Sequence, residues 1–140
     1  MLKVVKFGGS SLADAAQFEK VRQIVWAEPS RRVVVVSAPG KRFSGDHKIT
    51  DLLYLCYAHL QYGVSAEGVF GMVAERYRSI AADCGLTLPV DAELAALYEK
   101  MQQGISQDEL VSRGELCRPP HGGIPRLRFP RCRRLAAIHL

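Results

Sequence analysis

The chain has 140 residues, 48% hydrophobic and 24% charged, which fits one globular domain or part of one, and no apolar run approaches the roughly 18 residues of a membrane span. Its net charge of +5 is unevenly placed: residues 1–115 hold 13 basic against 14 acidic side chains, a balance of −1, while residues 116–140 hold six arginines and no acid. The near-neutral body gives no case for a nucleic-acid partner, and Lys3 and Lys6 interrupt any signal-peptide core, so the cytoplasm is the expected location and neither membrane nor nucleic acid an expected partner.

Leu2-Lys3-Val4-Val5 has the β-branched content of a strand and runs straight into Lys6-Phe7-Gly8-Gly9-Ser10-Ser11. A helix is predicted from Ala15 to Trp26, with Ala15, Phe18, Val21 and Val25 at helical spacing and Gln17, Glu19, Lys20 and Gln23 outward; Glu28-Pro29-Ser30 ends it. The uninterrupted run Val33-Val34-Val35-Val36 reads as a parallel strand buried on both faces. Strand, helix and strand then form a βαβ unit with a right-handed crossover. Ser37-Ala38-Pro39-Gly40 leaves the carboxyl end of the second strand, and the polar stretch to Lys48, which contains Gly45, reads as a mobile loop.

Thr50 is placed as an N-cap, with Asp51 in the first turn of a helix that turns Leu52, Leu53, Leu55, Cys56 and Leu60 inward. A third helix spans 66–83, with Val69, Phe70, Val73, Tyr77, Ile80 and Ala81 on one side and Gly85 as its stop signal. Leu86 to Val90 is a connector. Asp91 is taken to cap a fourth helix with Leu94, Leu97, Tyr98 and Met101 inward. Ser106 and Glu109 form a capping box that opens a last helix towards Ser112-Arg113-Gly114-Glu115. Two strong strands fall short of the five or more of a doubly wound sheet, so the chain reads as the front part of something longer.

Strand, glycine turn and helix in succession aim backbone N–H groups and a positive helix end at an anion, and Lys6 adds a point charge at the mouth of the turn. The expectation is a phosphate-handling site near the N-terminus; a plain structural turn is the competing reading. The P-loop pattern is excluded, because Gly40-Lys41 is followed by Arg42 and position 35 is Val35. The dinucleotide fingerprint is excluded by the spacing of Gly8 and Gly9. Cysteines at 56, 84, 117 and 132 form no Cys-x-x-Cys pair and read as reduced thiols. His47 and His59 have no partners at ligand spacing, and Tyr54, Tyr57 and Tyr62 follow helical packing. By residue chemistry alone Thr50 is as well a helix cap, Ser37 a strand-end residue and Glu115 a solvated charge.

Four motifs occur in order: KFGGSS at 6–11, VVVVSAPGK at 33–41, TDLL at 50–53 and SRGE at 112–115. Together they resemble the aspartate kinases of the amino-acid kinase family over residues 1–115. The resemblance implies the front part of a three-layer α/β/α sandwich of the carbamate kinase-like type, with parallel central strands. It implies conversion of ATP and L-aspartate to ADP and 4-phospho-L-aspartate, at the entry to lysine, threonine and methionine biosynthesis. By the same resemblance Lys6 is the catalytic lysine at the transferring phosphoryl group, and Lys6, Phe7, Gly8, Gly9 and Ser10 bind the phosphates. Ser37, Thr50 and Glu115 face the substrate, Glu115 at its α-ammonium, while Arg113 supports its turn. Mg²⁺ accompanies ATP, with ligands outside this chain. Another amino-acid kinase, of the glutamate 5-kinase or acetylglutamate kinase type, is the alternative, as is a non-catalytic chain that binds intact kinase subunits; a homo-oligomer is compatible with either.

After Glu115 the resemblance stops. Four prolines and two glycines between 119 and 130 exclude a continued helix, and residues 116–140 read as an Arg/Pro-rich, disordered tail. Permitted codons for Leu116 onward, shifted by one base, give Ser-Ala-Ala-Arg-Leu-Met-Ala-Ala-Tyr-Leu-Gly-Phe-Asp, which resembles the helix the family has there. The expectation is a frameshift near codon 116, leaving a chain inactive by itself. Nucleotide sequencing across that codon tests it. The six tail arginines invite an RNA or acidic-membrane reading, and Cys117, His121, Cys132 and His139 a zinc reading, but their spacings match no standard site.

Overall fold

The computed structural model describes residues 1–85 and 89–114. Glu115, the tail and residues 86–88 of the connector lie outside the described residues, and with them the expectations placed there.

Strand β1 (Lys3–Phe7) is followed by a single 3₁₀ turn (Gly9–Leu12), helix α1 (Ala15–Trp26), strand β2 (Arg31–Val36), and helices α2 (Ile49–Gln61), α3 (Glu67–Asp83), α4 (Val90–Gly104) and α5 (Gln107–Arg113). The two strands pair in parallel, with Val5 opposite Val34 and Phe7 opposite Val36, after a one-residue irregularity between Lys3 and Val4. Parallel pairing needs a crossover, and α1 supplies it. Asp14 caps α1 by accepting the Gln17 N–H at 2.9 Å, and Phe18, Val21 and Val25 form its buried stripe, as the spacing predicted.

Phe7 and Val34 belong to the core, with Val5 and Val36 packed against it, so one face of the sheet is covered. On the other face Val4 and Lys6 are exposed. Against expectation, the run is not buried on both sides throughout: Val33 and Val34 are buried, but Val35 opposite Lys6 and Val36 opposite Phe7 are only half-buried. From α2, Leu52, Leu53 and Cys56 enter the core; α3 adds Phe70, Val73, Tyr77 and Ile80; α4 adds Leu94, Leu97 and Met101; and α5 adds Leu110. Burial pushes the Cys56 thiol up to about 11, so it packs as a small apolar side chain. No helix among the described residues is long and apolar enough to cross a membrane.

Several boundaries move. Helix α2 begins at Ile49, with Lys48 at the cap position, so Thr50 sits in the first turn and is not the N-cap. Ile49 is fully buried and its N–H donates to the Pro39 carbonyl at 3.1 Å, which draws the helix start two residues earlier. Helix α4 begins at Val90 behind Pro89, whose fixed φ suits a helix start; Asp91 instead pairs with Arg78 of α3 at 2.6 Å. Leu55, Tyr54 and Tyr62, expected to pack, are exposed. The stops at Gly85 (φ +62°) and the Ser106 cap, which accepts the Glu109 N–H at 3.2 Å, follow the prediction.

Candidate active site

The site is built at the carboxyl edge of the sheet. Because β1 and β2 are parallel and Phe7 stands opposite Val36, Gly8 and Ser37 leave the sheet side by side. The two post-strand segments then touch through backbone. The Gly40 N–H donates to the Gly9 carbonyl at 2.8 Å. A Cβ on Gly9 would stand 2.9 Å from the Ala38 carbonyl oxygen, and one on Gly40 would stand 2.7 Å from the Gly9 carbonyl carbon. Both positions therefore require glycine for close backbone approach. Gly8 is different: a Cβ there would meet nothing within 4 Å, so it borders open space.

The 3₁₀ turn begins at Gly9, and the N–H groups of its first residues have no partners within the turn. Lys6 is exposed three residues before this turn begins. The first turn of α2 adds a second set, because the N–H groups of Thr50 and Asp51 precede the first intrahelical bond, from Leu52 to Lys48. Thr50 is half-buried, and its hydroxyl is not engaged in capping. The Ile49–Pro39 hydrogen bond ties this helix start to the segment after β2.

The end of α5 closes on the same region. A Cβ on Gly114 would lie 2.5 Å from Leu53 Cδ1 and 3.6 Å from Ile49 Cγ2, so α5 ends against the first two turns of α2. The Tyr77 hydroxyl of α3 donates to the Gly114 carbonyl. Arg113 is engaged by Glu109 one turn back, at 2.8 Å. The described parts of all four motifs are thus linked in series: Gly9 to Gly40, Pro39 to Ile49, Ile49 and Leu53 to Gly114.

Every sequence-derived residue except Glu115 has a definite place. Lys6 is exposed at the carboxyl end of β1 and enters no ion pair among the described residues. Phe7 puts its ring into the core, so only its backbone faces the site. Gly8, Gly9 and Ser10 form the turn, Ser37 is half-buried at the end of β2, and Thr50 opens α2. Glu115 lies outside the described residues.

Sequence reasoning missed one set of residues. The segment from Lys41 to Lys48, expected to be a mobile loop, is pinned by charge. Asp46, 7% exposed, accepts from the Arg42 backbone N–H at 2.9 Å and from its Nε at 2.8 Å, and meets Arg76 at 2.6 Å. Arg76, on α3 and 4% exposed, also donates to the Gly40 carbonyl at 2.8 Å and the His47 carbonyl at 3.3 Å. The Arg42 hydrogen bonds hold the Asp46 carboxyl well below the usual carboxylate range, and burial draws Arg76 down from a value high enough that it stays charged. The available signal was Arg76 itself, a charge three residues after Val73 on the buried side of α3.

The fold is that of an α/β protein whose post-strand segments meet at the carboxyl edge of a parallel pair, where open α/β sheets usually bind ligands. The model of the amino acid kinase family matches residues 1–115, and the chain belongs to that family. It is 51% identical over 85 residues to Aspartokinase 3 of Bacillus subtilis (strain 168), a match covering 61% of this chain and 19% of that protein. It is similar to the crystal structure of Clostridium acetobutylicum aspartate kinase, with a TM-score of 0.78 and 42% identity over 81% of this chain and 26% of that one. E. coli aspartokinase III, solved in complex with aspartate and ADP, gives a TM-score of 0.62 and 29% identity over 83% of this chain and 26% of that one. The chain therefore spans between about a fifth and a quarter of the length of these relatives.

Proposed function

We propose that this chain carries the phosphate-gripping and aspartate-facing part of an aspartate kinase. In that reaction the bond between the terminal phosphorus of ATP and the ADP oxygen breaks, and a side-chain carboxylate oxygen of L-aspartate forms the new bond to phosphorus. Charge spreads over the equatorial phosphoryl oxygens, so catalysis rests on positioning and fixed positive charge. Lys6 supplies the charge; the backbone of Phe7, Gly8, Gly9 and Ser10 cradles the phosphates; Ser37, Thr50 and Glu115 receive the aspartate. The serial linkage of the four motifs at one sheet edge carries this reading, and the identity to Aspartokinase 3 supports the choice of aspartate. Among the described residues no group of three or more His, Cys, Asp or Glu side chains could hold a metal ion, and no step is routed through one.

The test replaces the matching segment of Aspartokinase 3 of Bacillus subtilis with residues 1–115 and follows acyl phosphate as its hydroxamate. The chimera is expected to use L-aspartate in preference to L-glutamate and N-acetylglutamate. Lys6→Ala is expected to lower kcat about 10²–10³-fold. A folded chimera that prefers glutamate, or keeps its full rate without Lys6, overturns the proposal.

A further inference from the structure

We infer that Arg76, remote in sequence from every motif, is the positioning residue of the segment from Gly40 to Lys48. Its guanidinium reaches three points of that segment: the Gly40 carbonyl at its start, the Asp46 carboxylate near its middle and the His47 carbonyl just before α2. Gly40 in turn donates to the Gly9 carbonyl of the phosphate-side turn. Lys48, next to His47, precedes the helix start that bears Thr50. One buried cation on α3 thus ties both the turn after β1, through Gly40, and the start of α2 to the core. A flexible ammonium cannot reproduce this, because three acceptors in different directions need the planar fork of arginine. Arg42 contributes from the exposed side by closing on the same carboxylate at 3.0 Å through its second nitrogen.

Burial explains why the arrangement is rigid. A pair this far from solvent is costly to open, since removing one partner leaves the other charged and desolvated. The segment also carries Lys41, Arg42 and Lys48, all exposed, so its opening can be read directly with trypsin. A merely stabilising role would make the whole chain more sensitive; a positioning role makes this segment sensitive first.

This inference rests on the functional reading only for its link to aspartate, and the two are tested separately in the full 140-residue chain. Native-state trypsin cleavage after Lys41, Arg42 and Lys48 is compared among wild type, Arg76→Met, Arg76→Lys, Asp46→Asn and the core control Val73→Ala, with Tm measured for each. Arg76→Met and Asp46→Asn are expected to speed cleavage in this segment by about tenfold or more over a Val73→Ala control of similar Tm. Arg76→Lys is expected to restore protection only in part. Cleavage in the segment that simply follows Tm across all the variants overturns the inference, and so does full protection in Arg76→Lys. Should Arg76→Met fail to fold, Asp46→Asn, which keeps side-chain size, gives the same decision. The hydroxamate assay of the chimera bears on the functional reading alone: selective cleavage in this chain beside a folded chimera that does not phosphorylate aspartate would leave the positioning role standing and remove the kinase.

Discussion

At the scale of single residues, the two glycines after β1 have opposite duties. Gly9 is fixed by a neighbouring backbone, as Gly40 is from the other side, whereas Gly8 has open space beside it and an ordinary φ of −76°. Gly40→Ala is therefore expected to cost about 1–3 kcal/mol, because the atoms it meets are backbone and yield little. Gly8→Ala is expected to leave stability within about 0.5 kcal/mol while weakening nucleotide binding in the chimera, since the added methyl enters the space proposed for phosphate. Urea unfolding of both variants checks the first contrast; equal losses would show that Gly8 too is held by packing. Asp46 gives a pH prediction. Its folded pKa is depressed from an ordinary value of 3.8, chiefly by its hydrogen bonds from Arg42. The stability it contributes is complete above that unfolded value and is lost as pH falls through the folded one. Between about pH 4 and 2 the urea midpoint of the wild type should fall more steeply than that of Asp46→Asn. Parallel slopes would mean that the pair contributes nothing net to acid resistance.

At the scale of elements, periodicity carried most of the fold. Phe18, Val21 and Val25 on α1, Phe70, Val73, Tyr77 and Ile80 on α3, and Leu94, Leu97 and Met101 on α4 are buried where their spacing placed them. The misses share a physical cause, which is that tertiary contacts decide what local preference leaves open. Thr50 has the chemistry of a cap, yet burial of Ile49 and its bond to Pro39 set the helix start two residues earlier. Arg76 lies on the apolar side of its helix, and its partner Asp46 is 30 residues away, a separation no local pattern reveals. The candidate site was legible as four short motifs; the pinning of the segment between two of them was not. The displaced cap gives a sharp prediction. A Thr→Ala change at a true N-cap costs about 1 kcal/mol, whereas Thr50→Val, which removes only the hydroxyl, should leave the unfolding midpoint within about 0.5 kcal/mol of wild type. In the chimera the same change should raise KM for aspartate. A full capping penalty would return Thr50 to a structural role.

At the scale of the whole molecule, the site and the covered core are both one-sided. One sheet face packs on helices, while the other presents Val4 and Lys6, and each of the two strands has an unpaired edge among the described residues. Leu2 and Val4 are exposed on that side, and Tyr54, Leu55 and Tyr62 on α2 and its end. Unpaired edges and exposed apolar side chains of this kind can accept further polypeptide. The matched 81% of this chain covers only 26% of the Clostridium acetobutylicum enzyme. Phosphoryl transfer demands that nucleotide and acceptor be held in line, and effective molarity collapses when one side of the cleft is missing. The 140-residue chain by itself should therefore give no detectable aspartyl hydroxamate, while residues 1–115 within the chimera should. Both belong in one assay at equal protein concentration, with sedimentation velocity reporting whether the chain alone self-associates. Turnover by the isolated chain that follows its own concentration and disappears in Lys6→Ala would show that the sheet edge described above suffices for catalysis, and that the surfaces left open serve something other than completing the site.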